Sequence, residues 1–251
     1  MSESLLVETA DGVLTITWND PDRLNGLTGD MLDAASDAVE GIDASTRVIV
    51  FTGAGRAFTT GARLDETISG TEPMDRANRL IRAITSSPVP VVAAVNGPAA
   101  GFGASVAFAA DITVAGQSAY FLLPFTNIGL MPDGGATAVV AASIGRARAS
   151  AMALLGERLP AADAADAGLI HAAVADAELE ATVQTIVTRL ATGAGVAYRA
   201  TKEAIAAATL GNLDAALDRE RDLQVQLFDT ADFAEGTTAF VQKRAPKFVG
   251  A

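Results

Sequence analysis

The chain has 251 residues, enough for one large domain that buries roughly 70% of its unfolded surface. Its 18 Lys and Arg face 30 Asp and Glu, so the formal charge is −12; that field repels nucleic acid and anionic membrane, and an anionic ligand needs a local basic patch. Cysteine is absent, which excludes disulfides, thiolate nucleophiles and thiolate metal sites, fits a reducing compartment and makes a cytoplasmic location the default expectation.

Residues 5–9 and 13–18 flank Asp11-Gly12, a two-residue turn signal, and predict an N-terminal hairpin. Residues 1–11 carry acids and no long apolar run, which reads as no signal peptide. Thr28 is placed to cap a helix with Met31, Leu32, Ala35, Val39 and Ile42 on one face. A β-branched run at 48–52 predicts a buried strand, and a helix around Met74, Ala77, Leu80, Ile81 and Ile84 ends at Pro88. A second buried strand is predicted at 91–95, followed by a helix over 101–110. Residues 83–110 carry no charge, a length that could span a bilayer. Pro88, Pro90, Pro98 and Asn96 punctuate that stretch as strand and turn instead, so it reads as core.

Short strands are predicted at 112–115 and 120–122, with helices from about 134 to 155. Beyond Ala161 the strand signals nearly vanish, and helical periodicity covers 179–190, 197–209, 213–228 and 231–242, the last behind a Thr230 cap. Gly193-Ala194-Gly195 is the best linker, dividing a core over 1–193 from a helical region over 194–251.

Two glycine-rich turns, 58–64 and 96–103, carry the clearest chemical signal. Each follows a buried strand, and glycine lets a backbone point unpaired N–H groups at a ligand oxygen because no Cβ blocks the approach. Two such turns can serve one oxygen. The alternatives are weaker. Gly53-Ala54-Gly55 has Phe58 where a dinucleotide fingerprint needs its third glycine, and no Gly-Lys-Ser or Gly-Lys-Thr occurs. His171 is the sole histidine, with no partner that the sequence names, so it reads as structural and lends nothing to a triad or a metal site.

These residues resemble the enoyl-CoA hydratase/isomerase, or crotonase, superfamily over nearly the whole chain. Residues 21–27, Pro-Asp-Arg-Leu-Asn-Gly-Leu, are similar to its Pro-Glu-Lys-Leu-Asn-Ala-Leu motif. Residues 53–62 are similar to its Gly-Ala-Gly-Arg-Ala-Phe-Ser-Ala-Gly-Ala segment, 96–112 to its glycine-rich helix, and Asp232, Glu235-Gly236, Ala239-Phe240, Lys243-Arg244, Pro246 and Phe248 to its C-terminal pattern. The resemblance implies an α/β fold, a crotonase-like spiral of ββα units with a C-terminal helical trimerisation region, assembled as a homotrimer or a dimer of trimers. It implies an acyl-CoA substrate, with coenzyme A entering as part of the thioester and no permanently bound cofactor, nucleic acid or membrane partner. The thioester oxygen would accept from the N–H groups of Ala62 and Phe102.

Hydratases of the superfamily place two glutamates over the thioester, and the motifs align Ser105 and Phe125 with those positions. Neither can act as a carboxylate base. Isomerases carry an acid at the place of Asp133, and one carboxylate suffices to shift a double bond. Phe102, Phe125 and Leu130 around it would desolvate it and raise its pKa. Asp133 also fits an N-cap for a helix beginning at Gly134. Arg63 stands where the family often has Asp; it is a candidate for CoA phosphate or for pairing with Asp65 or Glu66. Arg23, Leu24, Gly26, Thr60, Gly61 and Leu64 join Ala62, Arg63 and Phe102 as candidate CoA contacts, with Lys243 and Lys247 reaching a neighbouring subunit's ligand. Three readings follow: an enoyl-CoA isomerase using Asp133, a hydratase with an atypical site such as Ser105, and a CoA-thioester-binding protein without catalysis.

Overall fold

The computed structural model describes residues 4–64 and 68–251. Strands β1 (Leu5–Ala10) and β2 (Val13–Trp18) form the hairpin, and Asp11 and Gly12 both adopt positive φ, the geometry a two-residue turn demands. Helix α1 (Gly29–Glu40) follows, capped by Thr28 Oγ1, which accepts from Met31 N at 3.3 Å. Next come β3 (Val48–Gly53), α2 (Glu72–Ser86), β4 (Val91–Val95), the two-residue β5 (Ala99–Ala100) and α3 (Phe102–Ala109). The uncharged stretch at 83–110 is thus divided among two helices and two strands. The chain continues through β6 (Ile112–Gly116), β7 (Tyr120–Leu122), α4 (Ala136–Leu155), β8 (Leu159–Pro160), α5 (Ala161–Asp166) and β9 (Ala172–Val174). It ends in α6 (Leu179–Thr192), α7 (Gly195–Thr209), α8 (Leu213–Phe228) and α9 (Ala231–Val241).

The main sheet has the order β1-β2-β3-β4-β6-β9, parallel throughout except for the hairpin. Helices cover both faces: Val48, Val50, Val92, Ala94 and Val114 pack under Leu179, Val183, Val187 and Leu190 of α6, while Ile49, Phe51, Val91, Ala93 and Val95 face the larger core with α1 to α3. Burial on both sides explains why these strands read as continuous apolar runs. A smaller sheet, β5-β7-β8, and single bridges between Leu27 and Ala62 and between Thr59 and Ala99 form a second layer. A long strand, a short second-layer segment and a helix therefore recur, the ββα spiral that the resemblance implied.

β9 lies beyond Ala161, where the strand signals in the sequence nearly vanish. Its Ala-Ala-Val sequence carries no alternation, and pairing with β6 makes it a strand. The helices after residue 194 share the core: Leu213, Ala216, Leu217 and Phe233 belong to the same buried cluster as Ile81 and Phe102. Among the described residues one helix, α4, is long and apolar enough to cross a membrane, and it is broken at Gly145 by non-helical backbone angles.

Candidate functional site

The site begins with a buried asparagine. Asn25, fully buried in left-handed backbone, donates from Nδ2 to Ala54 O (2.9 Å), Ala57 O (2.8 Å) and Phe58 O (3.1 Å), while its Oδ1 accepts from Asp20 N. Thr59 Oγ1 returns a bond to Asn25 O at 2.6 Å, and Thr60 N donates to Leu24 O at 3.2 Å. Loop 20–27 is thereby fastened to loop 54–63.

The fastening decides where Ala62 points. Leu27 N donates to Gly61 O at 2.9 Å and Arg63 N donates to Leu27 O at 3.0 Å, the pattern of a parallel bridge, so the intervening Ala62 turns its own N–H to the opposite side. Phe102 is the first residue of α3, where an N–H has no intrahelical partner. Neither N–H donates to a protein acceptor among the described residues. The two turns touch: a Cβ on Gly61, which sits at φ +82, would lie 3.0 Å from Phe102 N and 2.8 Å from Ala100 O. Two free donors beside one another, one of them on a helix N-terminus, can hold an oxygen that gathers negative charge.

Asp133 lies against the same helix. Ser105 Oγ of α3 donates to Asp133 O at 2.7 Å, and a Cβ on Gly134 would meet the Phe102 ring at 2.8 Å. Phe102, Phe125 and Leu130 are buried in one cluster, and the ring edge of Phe125 comes near Gly101. The carboxyl of Asp133 is itself buried: Oδ2 accepts from Gln224 Nε2 at 3.0 Å and Oδ1 has no partner among the described residues. Desolvation pushes its pKa up to about 7, the Gln224 bond opposes that rise, and the nearby charge of Glu220 adds to it.

The capping role is corrected. Gly134 and Gly135 both take positive φ, α4 starts at Ala136, and no Asp133 side-chain oxygen meets the helix N–H groups. Glu220 of α8 meets them instead, accepting from Gly135 N at 2.7 Å, from Thr137 N at 3.0 Å and from Thr137 Oγ1. Its carboxyl is pushed upward by burial, against the pull of those donors. Neither Glu220 nor Gln224 was found by sequence reading, although the spacing of Leu213, Ala216 and Leu217 puts both on the buried face of α8.

Among the cationic candidates, Arg63 and Arg23 approach Asp20 at 3.9 and 3.8 Å. The stem of Arg63 crosses Gly26, where a Cβ would lie 2.9 Å from Arg63 Cγ. Pairing of Arg63 with Asp65 or Glu66 lies outside the described residues. Lys243 and Lys247 stand apart, beyond the end of α9, and no hydrogen bond or ion pair joins them to these loops among the described residues. Lys247 lines a cavity of about 450 Å³ with Asp232, Glu235 and Arg244. His171 is exposed, and its backbone N–H donates to Thr113 O. Among the described residues no group of three His, Cys, Asp or Glu side chains is placed to hold a metal ion.

The enoyl-CoA hydratase/isomerase family model matches residues 8–251. The chain belongs to that family. A crystal structure of an enoyl-CoA hydratase from Mycobacterium avium subsp. paratuberculosis superimposes with a TM-score of 0.94 at 50% identity, covering 98% of both chains. A protein named probable enoyl-CoA hydratase from Rhodobacter capsulatus is 41% identical over 97% of this chain and 96% of its own. A 1,2-epoxyphenylacetyl-CoA isomerase from Escherichia coli is 39% identical over the full length of both. The enoyl-CoA hydratase/isomerase family thus includes relatives named for either reaction.

Proposed function

We propose that the protein isomerises the double bond of an enoyl-CoA through an enolate, with Asp133 as the single acid and base and the N–H groups of Ala62 and Phe102 as an oxyanion hole. The observation that carries this reading is one buried carboxyl, with an oxygen unpartnered among the described residues, on a segment packed against α3, whose first residue supplies one of the two free backbone donors; burial raises that carboxyl's pKa to about 7. The ionised Asp133 takes a proton from C2 of a 3-enoyl thioester. The electron pair moves onto the thioester oxygen, where Ala62 and Phe102 donate to it. The enolate collapses as protonated Asp133 gives the proton to C4, leaving a 2-enoyl thioester and the starting carboxylate. Atoms balance, and one group acts twice.

Hydration requires a group that activates water and a proton delivered to carbon. Phe125 offers neither, and the Ser105 hydroxyl spends its hydrogen on Asp133 O. The name of the Escherichia coli relative extends the proposal to acyl groups bearing a ring. Arg23 and Arg63 are proposed as contacts for CoA phosphates, Leu24, Gly26, Thr60, Gly61 and Leu64 as the walls around them, and Lys243 and Lys247 as contacts to a neighbouring subunit's ligand. A homotrimer or a dimer of trimers is proposed on the exposed apolar residues Leu154, Leu155, Phe240 and Val241, which a partner chain would cover. A cytoplasmic location is part of the same reading.

The test is to incubate purified protein with a 3-enoyl-CoA and separately with a 2-enoyl-CoA and to identify products by mass and chromatography. A product of unchanged mass is expected. Gain of one water identifies a hydratase, and tight binding without conversion a non-catalytic protein.

A further inference from the structure

Two buried polar side chains of α8 take no step in the reaction above. Leu213, Ala216, Leu217, Glu220 and Gln224 form one buried stripe at helical spacing, and its last two members, each 1% exposed, are polar. Burying an amide and a carboxylate where Leu or Met would fill the space is unfavourable unless their bonds are made. These bonds go to the segment 131–137 that holds Asp133. Gln224 Oε1 accepts from Met131 N at 3.1 Å, which fixes the way the amide faces; its Nε2 then donates to Met131 O at 2.9 Å and to Asp133 Oδ2 at 3.0 Å. Glu220 holds Gly135 N and both donors of Thr137.

We propose, on the reading of Asp133 as the base, that Gln224 is a positioning residue for the isomerisation: it ties down Oδ2 so that Oδ1 is the oxygen left to exchange the proton. A glutamine suits this place because it donates to Asp133 while accepting from Met131, which a glutamate could do only when protonated. Glu220 is the counterweight, fixing the start of α4 and facing Asp133 with like charge. Among the described residues the charged groups bearing on Asp133 are few: Glu220, with Arg219 acting on Glu220, from α8, none from α3, and none from the first turns of α4, whose first charged residue is Arg146.

The two residues push Asp133 in opposite directions, and the experiment reads that sign. Q224M removes the donor at matched length, so the acid limb of the kcat/KM profile moves up by about one pH unit and kcat at pH 7 falls about five- to tenfold, with KM within twofold. E220Q keeps an acceptor and removes the charge, so the limb moves down. In an Asp133→Asn background Q224M changes residual turnover no further. Limbs of both variants that superimpose on wild type, whatever happens to Tm, overturn the proposal, because a purely structural tie alters melting and not titration. Carboxyl carbon NMR of Asp-labelled protein, with the Asp133 signal assigned by its loss in Asp133→Asn, measures the same displacement without turnover. No isomerisation with a displaced titration indicts the reaction, whereas isomerisation with an undisplaced one indicts Gln224.

Discussion

The two halves of the site are encoded in different ways. The paired donors come from backbone: glycines, a parallel bridge and a helix start put Ala62 and Phe102 side by side, within forty residues of each other. The proposed base is a side chain, Asp133, whose proton affinity is raised chiefly by burial and adjusted from α8, about ninety residues further along, where Gln224 bonds its carboxyl and Glu220 adds like charge. Donors made of backbone resist point mutation, because removing a side chain leaves the N–H in place. A buried carboxyl does not, because every neighbour that changes its solvation changes its charge. The first half should therefore break only through geometry and the second through titration.

The largest expected effect is on the titrating half. Asp133→Asn should lower isomerisation by at least about a hundredfold, the lower range for loss of an acid–base group. Its Tm should hold or rise, because the asparagine keeps an acceptor for Gln224 and removes a buried charge. The pH dependence sharpens this. A carboxyl raised from its usual value to about 7 favours the folded state while protonated; that stability is complete below about pH 4 and is lost as pH rises through 7. Activity needs the ionised form and climbs over the same range. Opposite trends of kcat/KM and Tm near neutrality, with the Tm trend reduced in Asp133→Asn, are the expected outcome of rate and melting profiles.

The geometric half should respond next. Gly61→Ala forces a Cβ to 2.8 Å from Ala100 O and 3.0 Å from Phe102 N in a backbone at positive φ. The turns must separate, and kcat/KM should fall by about tenfold to a hundredfold without moving the acid limb. A displaced limb in this variant would break the division between the two halves. Asn25→Ala should act through stability, leaving three carbonyls without their donor at a loss of about 3 kcal/mol, read by denaturant unfolding. The smallest effect belongs to Arg23→Ala, whose side chain is 62% exposed; KM for an acyl-CoA should rise by about twofold, and more in Arg63→Ala.

The same contrast explains what the sequence made legible. Continuous β-branched runs at Val48 and Val91, the Asp11-Gly12 turn, the Thr28 and Thr230 caps and the two glycine turns are local signals, and each marks its element in the structure. β5, β8 and β9 are two or three residues long, too short to show a period, and owe their form to strands elsewhere in the chain. Asp133 was visible as an acid before a helix, a pattern shared by caps and catalysts. What removes the cap reading is the pair of glycines at positive φ after it and the Glu220 carboxylate that takes over the cap. Glu220 and Gln224 look like the polar face of a solvated helix until the apolar members of their stripe are seen to be buried.

The most direct measurement is a crystal structure with a saturated acyl-CoA bound at neutral pH. The thioester oxygen should lie about 2.7–3.1 Å from both Ala62 N and Phe102 N, with C2 facing Asp133 Oδ1. A thioester oxygen that meets neither N–H, or an Asp133 carboxyl screened from C2, would contradict the proposed chemistry.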